Sequence, residues 1–234
     1  MRNNHAIAEE FKEYAYSVSH DVSAPVRAMV EFSKLLTREP ANALSADGKE
    51  YLGIIIENGQ KLQAMMDGLL QYSRLNTLAK EFTAVNMQQV LERACLQLQN
   101  LIAQYGAQMT IEAMPNVWAD GDQLQQLWVA LIHNALLFQP RGQVPQIHIR
   151  MDRLANFWYF SITDNGIGVQ TKKHGMVFQL FKRMHTEDEY PGFGLGLAMA
   201  KKIVEHHGGR ISYEPVQPHG TTFFFTLPYR EIAP

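Results

Sequence analysis

Four groups of residues have the types and spacing to do chemistry. The run GFGLGL (192–197) leads directly into an amphipathic segment ending at Gly208-Gly209. Glycines that open a helix leave backbone N–H groups free at the positive end of its dipole, a geometry that receives phosphate. Taken alone, the run serves a tight turn equally well. Asp164-Asn165-Gly166-Ile167-Gly168 closes a hydrophobic strand pattern. A carboxylate there can accept from the amino group of a base, with glycine backbone free to come close; the bland alternative is an ordinary turn. Asn134 falls on the stripe Leu127, Leu131, Asn134, Phe138, which reads as a buried helix face. A buried asparagine must find partners, either neighbouring backbone or a metal ion that bridges phosphates. Finally, His20 is followed by Asp21. An imidazole with a pKa near 6.5 is mostly neutral at pH 7 and keeps a lone pair for attack. An adjacent carboxylate can orient the ring and take its proton. A histidine on a helix is otherwise an indifferent surface residue.

These groups need elements to hold them. Ile7, Phe11, Tyr14, Val18, Val22, Pro25, Met29, Phe32 and Leu36 step by three or four, a helical stripe of nearly coiled-coil period that slips at Val18–Val22. His20 lies about 200° round from Val18, at roughly 100° per residue, and so faces away from the seam. Pro25 bends the helix one turn later. PANALSADGK (40–49) is a turn, and a second stripe follows in heptads at Tyr51, Ile55, Asn58, Leu62, Met65, Leu69 and Tyr72, with Asn58 setting register. Such a hairpin exposes more apolar surface than it covers, which predicts self-association into a four-helix bundle. Beyond residue 78 the heptads stop. Strand signals at Glu81–Val85, 108–112, IHIRMDRL, FWYFSITD, RISYEP and TTFFFTLP, with a short segment at Val117–Ala119, are interspersed with helices over about Met87–Gln104 and Gly121–Phe138. The expected fold class is α+β: a helical hairpin over 1–78, then an α/β sandwich over 79–234 with helices on one sheet face.

Composition narrows the partners. At 234 residues, 46% hydrophobic and net charge −2, the chain does not suit a nucleic-acid binder that relies on bulk positive charge. The single cysteine, Cys95, excludes an internal disulfide and a cysteine zinc cluster and fits a reducing compartment. No apolar run approaches the roughly 18–20 residues that span a bilayer, and no signal peptide opens the chain. The expectation is a cytoplasmic protein, or the cytoplasmic part of a longer one, because MRNNHAIAEEFKEY starts inside a helical pattern.

Together the motifs resemble the core of a bacterial sensor histidine kinase, with wording over 178–209 similar to phytochrome-type kinases. SHDVSAPVR resembles the phospho-acceptor box, DQLQQLWVALIHNALLF the asparagine box, DNGIGV the first glycine box, VFQLFKR the phenylalanine box and GFGLGL the second glycine box. The resemblance implies ATP and Mg²⁺, a homodimer formed by the hairpin, and transfer from His20 to an aspartate of a response regulator. It makes His20 the phosphorylated residue, Asp21 its base, Asn134 the Mg²⁺ ligand and Asp164 the acceptor for the adenine amino group. Gly166 and Gly168 let the loop approach the nucleotide. Gly192, Gly194, Leu195 and Gly196 shape the lid hinge and the phosphate-facing helix start; Lys182 or Arg183 reaches the phosphates; Thr222 lines the adenine pocket.

The chain departs from the family pattern at Ala130, where an asparagine is usual, at Leu137, often a lysine, and at Phe193, usually a small hydroxyl residue. Losing a cation near triphosphate weakens binding by roughly 1–2 kcal/mol. Ala24, four residues after the histidine, replaces the threonine or asparagine common in members with phosphatase activity, so little such activity is expected. A competing reading is a degenerate dimeric scaffold with weak or no ATP turnover. A third, an ATPase or chaperone sharing only the nucleotide fold, has no use for SHDVSAP on a dimerising hairpin.

Overall fold

The structure, a computed structural model, describes residues 22, 26–36, 44–75, 80–169, 176–182, 184, 190 and 192–231. The chain divides into two compact units, Met1–Arg74 and Leu75–Pro234. The division falls before residue 78 because Leu75 is buried among the second unit's core residues and its carbonyl accepts from Gln123 Nε2 at 2.7 Å.

The first unit contains α1, over residues 26–36, and α2, Ala46–Arg74. Val26, Val30 and Ser33 are buried on α1; Leu52, Met66 and Ser73 are buried on α2. Gly59 continues the heptad from Leu52 to Met66, and its missing side chain leaves room for Val30. This seam is not the stripe read from the sequence. Met29 (55% exposed), Phe32 (67%) and Leu36 on α1, with Tyr51, Ile55 and Leu62 on α2, all stand exposed. Asn58 is exposed too, and its Nδ2 donates to the Ile54 carbonyl one turn back. The hairpin closes through its smaller residues and leaves the larger apolar ones outward.

The second unit is built on a five-stranded sheet in the order β2 (Gln108–Ile111), β4 (Gln146–Leu154), β5 (Phe157–Asp164), β7 (Thr221–Pro228), β6 (Ile211–Pro215). Only β2 and β4 run parallel. β1 (Thr83–Asn86) and β3 (Asn116–Ala119) form a separate antiparallel pair. The helices are α3 (Met87–Gln97), α4 (Gln99–Tyr105), α5 (Gly121–Leu137) and α6 (Gly196–His206). The single helix expected over 87–104 breaks at Leu98, which is buried while its N–H bonds the carbonyls of Ala94 and Cys95.

Alternation along the strands turns Ile147, Ile149, Phe160, Ile162, Phe223, Phe225 and Leu227 to one face, where they are buried. Trp128 of α5 is the centre of that layer, edge-on to Phe160 (6.2 Å) and Phe225 (5.3 Å), with its indole N–H on Met87 Sδ. Asp120 caps α5, accepting from the N–H groups of Asp122 and Gln123. A long helix fully buried along one side and capped at its start is a rigid rail, and the candidate site is arranged along it.

Candidate nucleotide site

The site begins at Asp164, the last residue of β5. Opposite it, at the start of β7, is Thr221. Asp164 is only 7% exposed, and its Oδ1 accepts from Gly166 N–H (2.8 Å) and Thr221 N–H (3.2 Å). Both bonds fall on one oxygen, so among the described residues Oδ2 is left without a hydrogen bond. Burial pushes the carboxyl up to about 6, against the lowering effect of the two N–H donors. The group is therefore largely ionised at neutral pH, partly desolvated, and has one oxygen open to a donor such as an exocyclic amine.

The turn after it is fixed from three sides. Asn165 Oδ1 accepts from Gln146 N–H, its Nδ2 donates to the Val144 carbonyl, and its own carbonyl accepts from Gln143 Nε2. Gly166 is pressed so closely on α5 that any side chain would strike the Phe138 carbonyl, which itself accepts from Ile167 N–H at 3.0 Å. Only glycine allows this approach. Gly168 follows with φ +77° beside Gly220.

Three positions lie four residues apart along α5 and its C-cap, and two of them meet other elements. At Phe138 the helix meets the Asp164–Gly166 turn. At Ala130 it meets the first residue of α6: a Cβ on Gly196 would sit 3.8 Å from the Ala130 Cβ. Midway is Asn134, half-buried, with no hydrogen bond from its side-chain amide among the described residues. Four residues rise about 6 Å, so the Asp164–Gly166 turn and the α6 start are roughly 12 Å apart along the rail, with the Asn134 amide between them. The sequence put Asn134 on the buried face. That face is instead Leu124, Leu127, Trp128, Leu131, Ile132, Ala135 and Leu136, and Asn134 stands at its margin.

The α6 start is open. Leu195, buried, occupies the N-cap with no side-chain hydrogen bond, and the first turn has no acidic residue, so the N-terminal N–H groups are uncapped by the protein. Gly192 (φ +137°) has open space around it. Gly194 (φ +70°) would bring a side chain to 2.8 Å from the Lys182 carbonyl, and its own carbonyl accepts from Phe181 N–H. Phe181 is held at φ +59°, a costly conformation for a non-glycine residue. Phe178 packs on Tyr213 and Phe223 and anchors this segment to the core. Lys182 is exposed; Phe193 and Leu137 are half-buried.

Thr222 is a correction. It lies on the other face of the sheet, where its hydroxyl pairs with that of Thr163 at 2.9 Å. The residue on the Asp164 face is Thr221, and the alternation of TTFFFTLP carried that signal, since Thr221 has the parity of Phe223 and Phe225. Phe138 and Tyr190 were also missed. Tyr190 reaches back to α5, its hydroxyl on the Gln139 carbonyl (3.2 Å) and its ring 5.0 Å from that of Phe138. His20, Asp21, Ala24, Pro25 and Arg183 lie outside the described residues.

Comparison with known proteins gives a family for each unit. Residues 12–78 match the family described as His Kinase A (phospho-acceptor) domain, and residues 119–231 match the histidine kinase-, DNA gyrase B-, and HSP90-like ATPase family. The chain is 39% identical over 219 residues to cyanobacterial phytochrome A of Nostoc sp., covering 94% of this chain and 28% of that protein. Among solved structures it resembles full-length ShkA in complex with AMPPNP (TM-score 0.71, 22% identity, 95% of this chain and 47% of that one). It also resembles the histidine kinase ThkA in complex with the response regulator TrrA (TM-score 0.64, 20% identity, 98% and 66%). At these identities the two structures speak for the fold. With a phospho-acceptor family on the helical unit and an ATPase family on the sheet unit, in that order, the chain belongs to the sensor histidine kinases and carries their catalytic core.

Proposed function

We propose that this core phosphorylates its own His20 from ATP and passes the phosphoryl group to an aspartate of a response regulator. The observation that carries the reading is the spacing along α5: a base-recognising carboxylate at one contact, an uncapped helix start at the other, and the Asn134 amide between them. Asp164 Oδ2 accepts from the adenine amino group, and Gly166 and Gly168 give the base close approach. The backbone N–H groups at Gly194–Gly196 receive phosphate oxygens, with the exposed Lys182 or with Arg183 supplying charge.

Among the described residues no cluster of histidine, cysteine or carboxylate side chains could cage a metal ion. A single amide oxygen suits Mg²⁺ that is held mainly by nucleotide phosphates and water, and Asn134 has the free amide for it. When bound, the ion neutralises phosphate charge. Asp21 takes the proton from one nitrogen of the His20 imidazole as the other attacks the γ-phosphorus of ATP. The bond from that phosphorus to the β–γ bridging oxygen breaks and ADP leaves, and the protein otherwise positions the groups. The exposed apolar stripe of α1 and α2 supports a homodimer, and the complex recorded for ThkA supports a receiver domain as partner. Residues 1–78 are then the dimerisation and phospho-acceptor domain, and 79–234 the ATP-binding domain.

Incubation with labelled ATP and Mg²⁺ tests this. Wild type should acquire an acid-labile, alkali-stable label that His20→Gln loses completely. The label should then pass to an isolated receiver domain. A label that survives in His20→Gln would overturn the assignment; failure of wild type to bind ATP would leave the hairpin as a docking scaffold.

A further inference from the structure

Two contacts of Tyr190 with described residues are not required by the proposed reaction. Its hydroxyl donates to the Gln139 carbonyl, and its ring lies against Phe138 at a tilt of 35°. Phe138 is also the residue whose carbonyl takes the Ile167 N–H and against which Gly166 is pressed. Tyr190 is thus attached to Phe138, which meets the Asp164 turn, and to the residue that follows it. Two positions later begins the glycine run, whose Gly194 carbonyl accepts from Phe181 N–H and whose Gly196 passes near Ala130, where an added Cβ would lie 3.8 Å from the Ala130 Cβ. The run's first glycine meets no neighbour, and glycine backbone loses much freedom when ordered. An upstream anchor is what such a segment needs if its N–H groups are to be ready for an anion.

We propose that Tyr190 is a positioning residue that couples the base-recognising turn to the phosphate-receiving start of α6. The inference rests on the nucleotide reading above. The rings at 5.0 Å are in direct contact, so no base fits between them. Tyr190 therefore acts by holding the glycine run to the end of α5, and its effect should grow with the number of phosphates.

The test is the affinity of wild type, Tyr190→Phe and Tyr190→Ala for AMP, ADP and AMPPNP, by calorimetry with Mg²⁺ present. Tyr190→Phe keeps the ring and loses one hydrogen bond, so AMPPNP should weaken about threefold. Tyr190→Ala loses both contacts and should weaken it about tenfold or more. AMP should stay within about twofold in both, since its base site is intact. An equal loss for all three nucleotides would reduce Tyr190 to a structural residue and overturn the coupling. So would unchanged affinities, or tighter binding in Tyr190→Ala, which would mark an obstructing ring. If wild type bound none of the three, the nucleotide reading would fall and this inference with it; normal wild-type binding with unaltered variants sinks the inference alone.

Discussion

At the scale of single residues, Asp164 sets a conflict between stability and binding. Its folded-state pKa of about 6 lies above the ordinary 3.8, so the folded protein disfavours the charge more than the unfolded chain does. The penalty is absent below about pH 4, develops as pH rises towards 6, and is complete above it; a shift of this size corresponds to roughly 3 kcal/mol at most. Asp164→Asn keeps an acceptor for Gly166 and Thr221 N–H and removes the charge. It should raise the melting temperature at pH 7.5 by several degrees, on the order of 2–4 °C per kcal/mol, with the gap closing by about pH 4. The same variant should lose nucleotide binding, because an amide whose oxygen takes the Gly166 and Thr221 N–H groups turns an NH2 donor, not an acceptor, towards the adenine amine. In wild type, affinity for the nucleotide should fall as pH drops through about 6, where Oδ2 gains a proton. A melting series across pH, paired with calorimetry, checks both halves.

At the scale of elements, the site depends on α5 staying straight and α6 staying docked, and a buried histidine joins the two. His207, at the end of α6, accepts from Asp120 N–H on Nε2 (3.1 Å) and so carries its proton on Nδ1, which donates to the Ile203 carbonyl (2.8 Å). Phe82 stacks on the ring at 4.6 Å, and Asp120 Oδ2 accepts from Lys80 N–H. The corner where α5 begins and α6 ends thus also holds the chain entering β1. Burial lowers the His207 pKa. A base whose folded pKa is depressed stabilises the fold above its unfolded value, and that stability is lost as pH falls below about 6.5. His207→Ala leaves the Asp120 N–H unpartnered and should cost about 2–3 kcal/mol at pH 7.5, read by denaturant unfolding. Its stability should also change less than wild type's between pH 7 and 5. Equal pH slopes in the two proteins would contradict the neutral-imidazole assignment.

At the scale of the whole molecule, the two units differ in how completely they bury their large apolar residues. The sheet unit buries its core fully, whereas the helical unit exposes Met29, Phe32, Leu36, Tyr51, Ile55 and Leu62. A fully exposed side chain of this kind gains roughly 1.5–3 kcal/mol on burial, and these partly covered ones gain a fraction of that each, which the proposed homodimer would collect by covering them. Phe32→Lys combined with Ile55→Lys should convert a dimer to a monomer, raising the dissociation constant at least about a hundredfold in analytical ultracentrifugation. AMPPNP binding by the sheet unit should be unaffected. A double variant that stays dimeric would move the interface elsewhere. No helix among the described residues is long and apolar enough to cross a membrane.

The sequence by itself determined whatever depends on local pattern. Heptads announced the hairpin, alternation announced the strands, and the glycine boxes and Asp164 marked the site proposed for a nucleotide, because periodicity and motif order are properties of the chain alone. Other features required packing to be known. The hairpin seam runs through Val26, Val30, Leu52, Gly59 and Met66, since a pair of helices can close on a narrower apolar strip than the one most visible in sequence. Asn134 left the buried face because α5 is buried chiefly by Trp128 and its neighbours, which rotates position 134 to the margin. Thr221 replaced Thr222 because strand pairing opposite Asp164 fixes which face each residue takes. The equal spacing of Ala130, Asn134 and Phe138 was present in the sequence throughout; that these positions meet Gly196 and Gly166 is a long-range contact, and only the assembled fold decides it.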